Sequence, residues 1–538
     1  MVITTISRRK LLGAALGVAT VPVVGPVATL SATLRPAMRG IFSGGGNQRE
    51  ALLAFVKEAA ESGKTIEWGP IDLSIDVISR KSGVRGLIVP SGSRWVMHPD
   101  TRVRALPNPG PHYEILNIVD ARDIEIEGNG ARIVGDREAH AGKGGEWGHG
   151  VSIRGSTGVT IRDLVAEDCW GDGFYIGSTA SQKFCQDILL QRTAARRARR
   201  NGMSLVSARN FLSEDHRSIE TVGTAPEFGV DIEPNERNEY LEGVRFVRTL
   251  TERSGKVGFG MFLAALEGTE NPIEVRLEDC QDIESLVGFS VASAVGAPGS
   301  IDLLSVKSAR AGEAGISLRR KAASGPHVRI DHPLVTDWNR NGVPVAAAQA
   351  AINVFAPARE KGAEALGGVD IIAPDIRLTD ARTPSRAAIF VNDQRATRSQ
   401  RPVGVRLLDP ISLAGLPVWL TAERAEFRDG NRVSERKLPD ADSSIGTART
   451  YVHNIIGATK SRTYSLASGH PVGIELVFEV ASNDAAGRIR FPDGERLYLD
   501  ARGTGSVWSG QRGATLRIRK TAPDSWTALD IVGVWRSG

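Results

Sequence analysis

A glycine followed by an apolar residue, a small or polar residue and a second apolar residue recurs seven times in this chain. The alternation within each copy is typical of a β-strand that buries one face. The nearly even spacing of 23 to 30 residues indicates stacked repeats, none of which can bury its apolar face alone. The glycines are Gly150, Gly173, Gly202, Gly229, Gly258, Gly288 and Gly315.

A second set of short alternating segments runs in step with the first. We predict two strands per turn of a coil, because each copy of the glycine pattern is followed by one member of this set. Apolar residues do not recur at the helical spacing that helical repeats of this length require. The segments are Val159–Ile161, Ile188–Leu190, Ile219–Thr221, Val244–Phe246, Ile273–Val275, Ile301–Leu303 and Val328–Ile330.

These two strand families predict an all-β chain whose main part is a parallel β-helix. The pattern resembles the right-handed β-helix of the pectate-lyase-like superfamily, and the resemblance covers roughly residues 45–430. It implies a right-handed coil, and it is specific for the fold rather than for a reaction.

The two ends of the coil carry different predictions. Residues 47–63 predict a short amphipathic helix, which begins near Asn47 and would cap the open end of the coil. Residues 429–444 are polar and predict a linker. Alternating segments between turn residues then predict an antiparallel, β-sandwich-like domain over residues 445–538.

The first 32 residues predict export. Ser7-Arg-Arg-Lys-Leu-Leu12 and the weakly apolar stretch after it resemble a twin-arginine signal, which implies a periplasmic or secreted protein. No other stretch is long and apolar enough to cross a membrane. Three of the 67 basic residues lie in this segment, so the remainder nearly balances the 62 acidic residues. Neither charge nor motif indicates a nucleotide, haem or nucleic-acid partner.

The cysteines carry no metal or redox motif. Cys169, Cys185 and Cys280 lie in or beside strands at spacings that match no metal site. We interpret them as small buried residues of the coil, with a Cys169–Cys185 disulfide as the alternative.

The phase of the glycine pattern predicts where a site lies. If the residues one and three places after each glycine point inward, those just before it and two and four places after it point outward. On the first four coils, these outward positions gather polar and ionisable residues, whereas the later coils are plainer. We therefore expect the functional site on the outer face of the first four coils.

Asp231 and Glu233 are the candidate catalytic pair. They lie two residues apart on one strand, so they share a face with Cα atoms roughly 6.5–7 Å apart. Such a separation leaves room for a water between an acid and a base, as in an inverting glycosidase. Asp172 lies two coils away and is the third catalytic candidate. The alternative is that these acids cap turns or bind water.

Aromatic and basic residues near this pair are candidates for substrate binding. Trp147 and Tyr175 can stack on sugar rings, and His149 can also transfer a proton. Asn201 is a candidate that could equally be a turn residue linking two coils. Arg199 and Arg200 belong to five arginines in nine residues, which would attract an anionic polymer unless they are only solvated. The cluster comprises Arg192, Arg196, Arg197, Arg199 and Arg200.

Catalytic motifs of the related families do not transfer. The polygalacturonase branch carries a Gly-His-Gly motif after its catalytic acids, whereas Gly148-His149-Gly150 precedes Asp172 and Asp231. A pectate-lyase site would use calcium held by acids and an arginine base. Asp172, Asp231 and Glu233 could supply oxygen ligands, but no motif fixes them as such.

These observations favour an exported enzyme that cleaves the glycosidic bonds of a polysaccharide. Hydrolysis through Asp231 and Glu233 is favoured over elimination, in which Tyr175 or His149 would act as the base and Arg200 would neutralise a carboxylate. A non-catalytic glycan-binding or surface-attachment protein is the alternative. No cofactor is required unless the reaction is an elimination that uses calcium. Monomer and trimer both remain open.

Overall fold

The computed structural model describes most of the coil and much of the C-terminal region. The described residues are 33–44, 46–78, 86–292, 295–343, 347, 349–357, 364–380, 387–393, 403–414, 416, 418–420, 426–428, 434–445, 452–470, 475–481, 486–499, 503–522 and 524–537. The export signal predicted for residues 1–32 lies outside them.

Three long parallel sheets wind into a right-handed parallel β-helix, as the sequence predicted. Each full coil contributes one strand to each sheet, and the sheets hold 14, 12 and 12 strands. We call the sheet that contains the repeated glycine pattern the glycine sheet. The other two are called the 14-stranded sheet and the short-strand sheet.

The glycine sheet carries the candidate site. Its strands are Leu87–Ile88, His112–Val119, Trp147–Arg154, Phe174–Gly177, Met203–Leu205, Phe228–Ile232, Val257–Phe262, Val287–Ala292, Ile316–Arg319, Ala350–Ala356, Ala387–Asp393 and Val418–Leu420. The residues that follow the repeated glycines pair in register through all seven copies, from Val151 with Phe174 to Phe289 with Ile316.

The 14-stranded sheet follows the glycine sheet along each coil. Its strands are Thr33–Leu34, Thr65–Glu67, Arg94–Val96, Arg122–Glu127, Thr157–Arg162, Cys185–Gln191, Ala208–Glu214, Leu241–Val247, Ile273–Glu278, Gly299–Leu304, His327–Asp331, Gly367–Ile372, Val403–Leu408 and Glu426–Arg428.

The short-strand sheet completes the coil, so the prediction of two strands per turn is wrong. Ile219, which the sequence assigned to the second strand family, lies in this third sheet, and Phe211 occupies the expected place in the 14-stranded sheet. Strands of two to four residues are too short to show an alternating pattern of their own. They are Asp72–Ile75, Arg102–Ala105, Arg132–Val134, Val165–Glu167, Ala194–Arg196, Arg217–Ile219, Leu250–Glu252, Gln281–Ile283, Lys307–Ala309, Leu334–Thr336, Asp375–Arg377 and Ser412–Leu413.

The repeated glycines are required by the closeness of the coil walls. A Cβ atom on Gly173 would lie 2.6 Å from Ala195 Cβ in the short-strand sheet and 2.7 Å from Gly202 O on the next coil. The same two kinds of neighbour, a short-strand side chain and the carbonyl oxygen of the next glycine, meet a Cβ at Gly229 and Gly288. At these positions the neighbouring coil and the short-strand sheet leave no space for a side chain.

A helix at Arg49–Glu61 packs on the first coils, as predicted, and a short 3-10 helix at Pro36–Arg39 precedes it. Asn47 Oδ1 accepts the backbone N–H of Arg49 at 3.2 Å, near the start of the longer helix. The buried side chains Leu52, Phe55 and Val56 cover the core at this end. A second 3-10 helix lies at Ala264–Leu266.

The C-terminal region contains two mixed sheets rather than a wholly antiparallel domain. The first strands alternate between the two sheets, and the first pairs in each sheet are parallel. Antiparallel pairs follow from residue 475 onward, although Arg496–Tyr498 pairs in parallel with Ser525–Val532. We predicted a linker over residues 429–444. This prediction is wrong for the described residues of that range, because Ser434–Lys437 and Ser443–Ile445 are strands. The others are Val452–Ile456, Arg462–Leu466, Glu475–Val480, Gly487–Arg490, Arg496–Tyr498, Ser506–Ser509, Thr515–Ala522, Ser525–Val532 and Arg536–Ser537.

The three cysteines are buried and free. Cys169 and Cys185 form no disulfide, so the bridge considered from the sequence is excluded. Burial raises the pKa of the Cys185 thiol to about 11, which keeps it a protonated, unreactive part of the coil interior.

Candidate functional site

A pocket of about 300 Å³ opens on the glycine sheet at the first coils. It contains most of the residues that the sequence singled out, including Asp231 and Glu233. Its lining residues are His112, Glu114, Trp147, His149, Ser152, Arg154, Tyr175, Arg200, Ser204, Val206, Asp231, Glu233 and Asn235.

The polar side chains behind this pocket are buried, not solvated as we expected for an outer wall. Asp172 and Asn201 are fully buried and do not line the pocket, while His149 and Asp231 are nearly buried and do. These buried polar side chains form a layer between the apolar core and the pocket. The sequence could not show this, because the neighbours that enclose each group lie on adjacent coils, as Arg200, Asn201 and Ser204 do around Asp172.

Asp231 is held in an environment that favours its neutral form. Its Oδ2 accepts a hydrogen bond of 2.8 Å from Asn201 Nδ2, while Oδ1 has no hydrogen-bond partner among the described residues. Burial, and after it the field of Glu233, raises the pKa of Asp231 well above its ordinary value, against the opposing effect of Arg200. Because Oδ2 is occupied as an acceptor, the acid proton belongs on Oδ1.

Glu233 lies in the same pocket but is open to solvent. It follows the strand Phe228–Ile232, and its backbone N–H donates to Leu205 O of the preceding coil at 3.1 Å. The loop beyond it is held by buried Glu239, whose carboxylate accepts the backbone N–H groups of Asn235 and Glu236. The two carboxyl groups therefore share a pocket while differing in their access to water.

Asp172 is committed to holding its neighbours. It accepts hydrogen bonds from Arg200 Nη1 at 3.0 and 3.2 Å, from the Asn201 backbone N–H at 3.2 Å and from Ser204 Oγ at 2.8 Å. Burial opposes the charge on Arg200, but Asp172 and further acids outweigh it and raise the pKa of the guanidinium. Asp172 thus positions Arg200 and Ser204 and is one layer removed from the pocket.

His149 and Tyr175 form a stacked pair inside the pocket, with ring centroids 4.8 Å apart. The Asp172 backbone N–H donates to His149 Nδ1 at 3.2 Å, which places the proton of the neutral ring on Nε2. Burial lowers the pKa of His149 and raises that of Tyr175 to about 12. Both groups are therefore hydrogen-bond donors at neutral pH.

Trp147 lies at the mouth of the pocket and is 44% exposed. Its ring is tilted against that of His112, with centroids 6.1 Å apart. An exposed indole beside polar groups is the arrangement that sugar rings stack on.

Two further pocket residues, His112 and Glu114, come from the strand before Trp147, and sequence reasoning missed both. Glu114 pairs in register with His149, one coil earlier, and contacts His112 Nε2 at 3.3 Å and Arg154 Nη2 at 3.1 Å. The strand His112–Val119 has Ile115 where the other copies have glycine, so the pattern did not reveal it. The His-Tyr-Glu alternation at 112–114 was the available signal.

The arginine cluster is mostly neutralised between coils. Arg192 and Asp163 occupy equivalent corners of successive coils and form an ion pair at 2.6 Å, and Arg197 pairs with Asp168 in the same way at 2.7 Å. Arg199 lies outside the pocket lining, with its guanidinium 3.7 Å from the centre of the Trp170 ring. Arg200 faces the pocket. The positive charge of this loop is therefore reduced, because Arg192 and Arg197 each meet an acid 29 residues earlier.

Within the described ranges, no three acidic, histidine or cysteine side chains are grouped as metal ligands. Asp172, one of the three acids considered as calcium ligands, already accepts hydrogen bonds from Arg200, Asn201 and Ser204.

Comparison with known proteins finds no matching family model. Two Bacillus subtilis proteins are similar over part of their length. The uncharacterized protein YclG is 32% identical over 163 residues, which is 28% of this chain and 27% of that protein. The SPbeta prophage-derived uncharacterized protein YorA is 27% identical over 222 residues, 38% of this chain and 37% of that protein. The matches thus span about a third of these relatives.

Solved β-helix structures are more distant. The tailspike of Escherichia coli bacteriophage HK620, in complex with a pentasaccharide, is 10% identical with a TM-score of 0.46, covering 82% of this chain and 77% of that one. The A-module of Azotobacter vinelandii mannuronan C-5 epimerase AlgE4 is 12% identical with a TM-score of 0.42, covering 73% and 99%. At this distance they carry no argument about function. No helix in the described part of the chain is long and apolar enough to cross a membrane.

Proposed function

We propose that this protein is a glycoside hydrolase that cleaves a polysaccharide bound along the glycine sheet. Asp231 acts as the general acid and protonates the leaving glycosidic oxygen. Glu233 acts as the general base and activates the attacking water. We expect the anomeric configuration to be inverted, because two carboxyl groups spaced in this way leave room for that water.

The observation that carries this proposal is the unequal environment of two carboxyl groups in one pocket. Asp231 is buried and its pKa is raised, so it keeps a proton at pH values where an ordinary aspartate has lost it. Glu233 is in contact with solvent, where a base must receive its water. A pair of carboxyl groups whose surroundings separate their protonation states supplies both roles of glycoside hydrolysis.

The remaining pocket residues have supporting roles in this reaction. Trp147 stacks on a sugar ring at the mouth, and Tyr175 and His149 donate hydrogen bonds to sugar oxygens. Asn201 fixes the orientation of the Asp231 carboxyl group, and Asp172 holds Arg200 against the pocket. Arg199 stays behind the pocket wall and supports Trp170.

Elimination is disfavoured, because neither candidate base, Tyr175 or His149, is free to take a proton from the sugar. Tyr175 would have to lose its proton, but its pKa is raised to about 12. His149 Nδ1 accepts the Asp172 N–H, so the lone pair that could take a proton is occupied.

We also propose that the protein acts outside the cytoplasm. The support is the twin-arginine-like segment at Arg8 and Arg9. Replacing both arginines by lysine should retain the protein in the cytoplasmic fraction of a bacterial host, whereas unchanged export would contradict this proposal.

The direct test is to incubate the protein with a panel of neutral and uronic-acid polysaccharides, with and without calcium. New reducing ends without the ultraviolet absorbance of unsaturated uronates would support hydrolysis. Reducing ends with that absorbance would identify a lyase and overturn the roles of Asp231 and Glu233. Binding without any cleavage would identify a glycan-binding protein.

Variants then test the assigned residues. Asp231→Asn and Glu233→Gln should each reduce kcat by at least about 100-fold, the lower end of typical acid–base contributions, while retaining polymer binding. Asp282→Asn is a matched control, since Asp282 is also a buried aspartate with a raised pKa but lies in the short-strand sheet. Glu274→Gln controls for an exposed glutamate in a strand away from the pocket. Equal losses in the controls would contradict the assignment.

A further inference from the structure

We infer that the sugar ring held in the pocket is uncharged, so that the substrate is a neutral polysaccharide and not a polymer of uronic acids. This inference rests on the proposed function and names its substrate class. It also reverses the expectation that the arginine cluster recruits an anionic polymer.

The first support is that both guanidinium groups lining the pocket already have carboxylate partners. Arg200 contacts Asp172 at 3.0 Å and Glu146 at 3.4 Å, and Arg154 contacts Glu114 at 3.1 Å. A sugar carboxylate would have to compete with buried or half-buried acids that are fixed in place. In recognition of a carboxylate, the arginine fork is instead open to the ligand.

The second support is the overall charge around the ring. Glu114 and Glu233 line the pocket beside Arg154 and Arg200, and Asp172 and Glu146 contact Arg200 from outside the lining. Four carboxylates therefore surround two guanidinium groups. A uronate in the pocket would be repelled, because like charges that are partly shielded from water interact strongly.

The third support is a set of buried polar atoms whose hydrogen bonds are unmet. Among the described residues, Glu114 Oε2, Ser152 Oγ and Asp231 Oδ1 have no hydrogen-bond partner, and neither do the Nε atoms of Arg154 and Arg200. These are acceptors and donors mixed within one pocket. A hydroxyl at carbon 6 of a sugar can both donate and accept, whereas a carboxylate at that position can only accept and so cannot pair with an acceptor such as Glu114 Oε2.

The experiment compares polymers that differ only in oxidation at carbon 6. Matched pairs are mannan with polymannuronate and glucan with polyglucuronate, the two members of each pair having the same linkage. Binding of the full-length Asp231→Asn variant is measured at low and high salt, and reducing ends are measured with the unaltered protein. We expect one neutral polymer to bind at least about 10-fold more tightly than its uronic partner, with an affinity that salt barely changes.

Two variants sharpen the comparison. Glu146→Gln removes a half-exposed acid next to Arg200 and should improve binding of the uronic member by about threefold or more, while leaving the neutral member unchanged. Glu114→Gln should weaken binding of the neutral member, because it replaces an acceptor oxygen by a donor. Glu146 is the safer of the two for folding because it is not part of the buried layer.

The outcomes separate this inference from the proposed function. Hydrolysis of a uronic polymer in preference to its neutral partner would overturn the inference and leave the proposed hydrolase standing. Tight, salt-sensitive binding of the uronic member would do the same. Neutral binding without cleavage would support the inference while refuting hydrolysis. If neither member of any pair is bound or cleaved, both proposals fail.

Discussion

Asn201 and Asp231 lie on neighbouring coils and are joined by a hydrogen bond of 2.8 Å from Asn201 Nδ2 to Asp231 Oδ2. The amide orientation is set from the other side, because Asn201 Oδ1 accepts the backbone N–H of Phe228 at 3.0 Å. A turn residue that the sequence could also explain as scaffold therefore fixes the candidate general acid. The hydrogen bond from Asn201 to Asp231 therefore both links two coils and orients the candidate acid.

Replacing Asn201 by alanine should raise the pKa of Asp231, because the amide hydrogen bond is among the interactions that lower it. The acid would then stay protonated to higher pH, so the alkaline limb of the kcat/KM profile should move to higher pH. Leaving the Phe228 N–H without an acceptor should cost about 1–3 kcal/mol of stability. Asn454→Ala, which also loses a buried hydrogen bond, should lower stability without moving that limb. An unmoved limb in Asn201→Ala would argue against Asp231 as the acid.

Removing only Arg200 from the Arg200–Asp172 pair should lower the free energy of unfolding more than removing both charges. Arg200→Met leaves the Asp172 carboxylate buried without its cation and should cost about 3–5 kcal/mol in the free energy of unfolding. In the double variant Arg200→Met with Asp172→Asn, neither charge remains buried alone, so the loss should be clearly smaller than the sum of the single losses. Urea denaturation of all four proteins measures the coupling. If the two single losses simply added up in the double variant, Arg200 and Asp172 would not form an ion pair that contributes to stability.

Asp282 should make the protein less stable as pH rises. Burial raises its folded-state pKa to about 7, against an ordinary value of 3.8, so unfolding releases a proton between these values. The free energy of unfolding should therefore fall by roughly 1.4 kcal/mol per pH unit across that window from this residue. Asp231 contributes with the same sign, so the test compares Asp282→Asn with the unaltered protein at each pH. The difference between them should change across the window; parallel curves would contradict the raised pKa.

Gly288→Ala should destabilise the coil by about 1–3 kcal/mol through overpacking. Its new Cβ would lie 2.6 Å from Gly315 O on the next coil and closer still to Ser308 Oγ, and backbone cannot move aside cheaply. Gly457→Ala is the matched control, because nothing lies within 4 Å of a Cβ there. Thermal denaturation of both variants checks the difference, and equal melting temperatures would show that the repeated glycine is not a packing requirement.

Trp147→Ala should weaken substrate binding without affecting the fold. The loss of one stacking surface is expected to raise KM about 3- to 10-fold, while kcat changes little. Stability should stay within about 0.5 kcal/mol, because the side chain is largely exposed. Phe42→Ala, at an exposed aromatic residue near the N-terminus of the described chain, should leave both KM and stability unchanged. An unaltered KM in Trp147→Ala would remove the indole from the binding site.

The glycine sheet and its register were predictable because local chemistry specifies them. Val151, Phe174 and their counterparts alternate with polar residues, and a strand with that pattern buries only one face. Glycine recurs at Gly173, Gly229 and Gly288 because a Cβ atom there would lie under 3.0 Å from the next coil's carbonyl oxygen. Asp231 and Glu233 could be placed on one face for the same reason, since strand geometry alone puts residues two apart on the same side.

The tertiary structure alone decided which of these groups are buried and which are paired. Arg192 meets Asp163, and Arg200 meets Asp172, across intervals of 28 or 29 residues that no local pattern encodes. The short-strand sheet was not predicted, because strands of two to four residues are too short to show an alternating pattern. His149, Asp172 and Asp231 are buried by contacts with residues of neighbouring coils, such as Tyr175, Ser204 and Asn201. Periodicity determines strands and their facing, whereas burial, charge pairing and proton affinity depend on neighbours that only the stacked coils bring together.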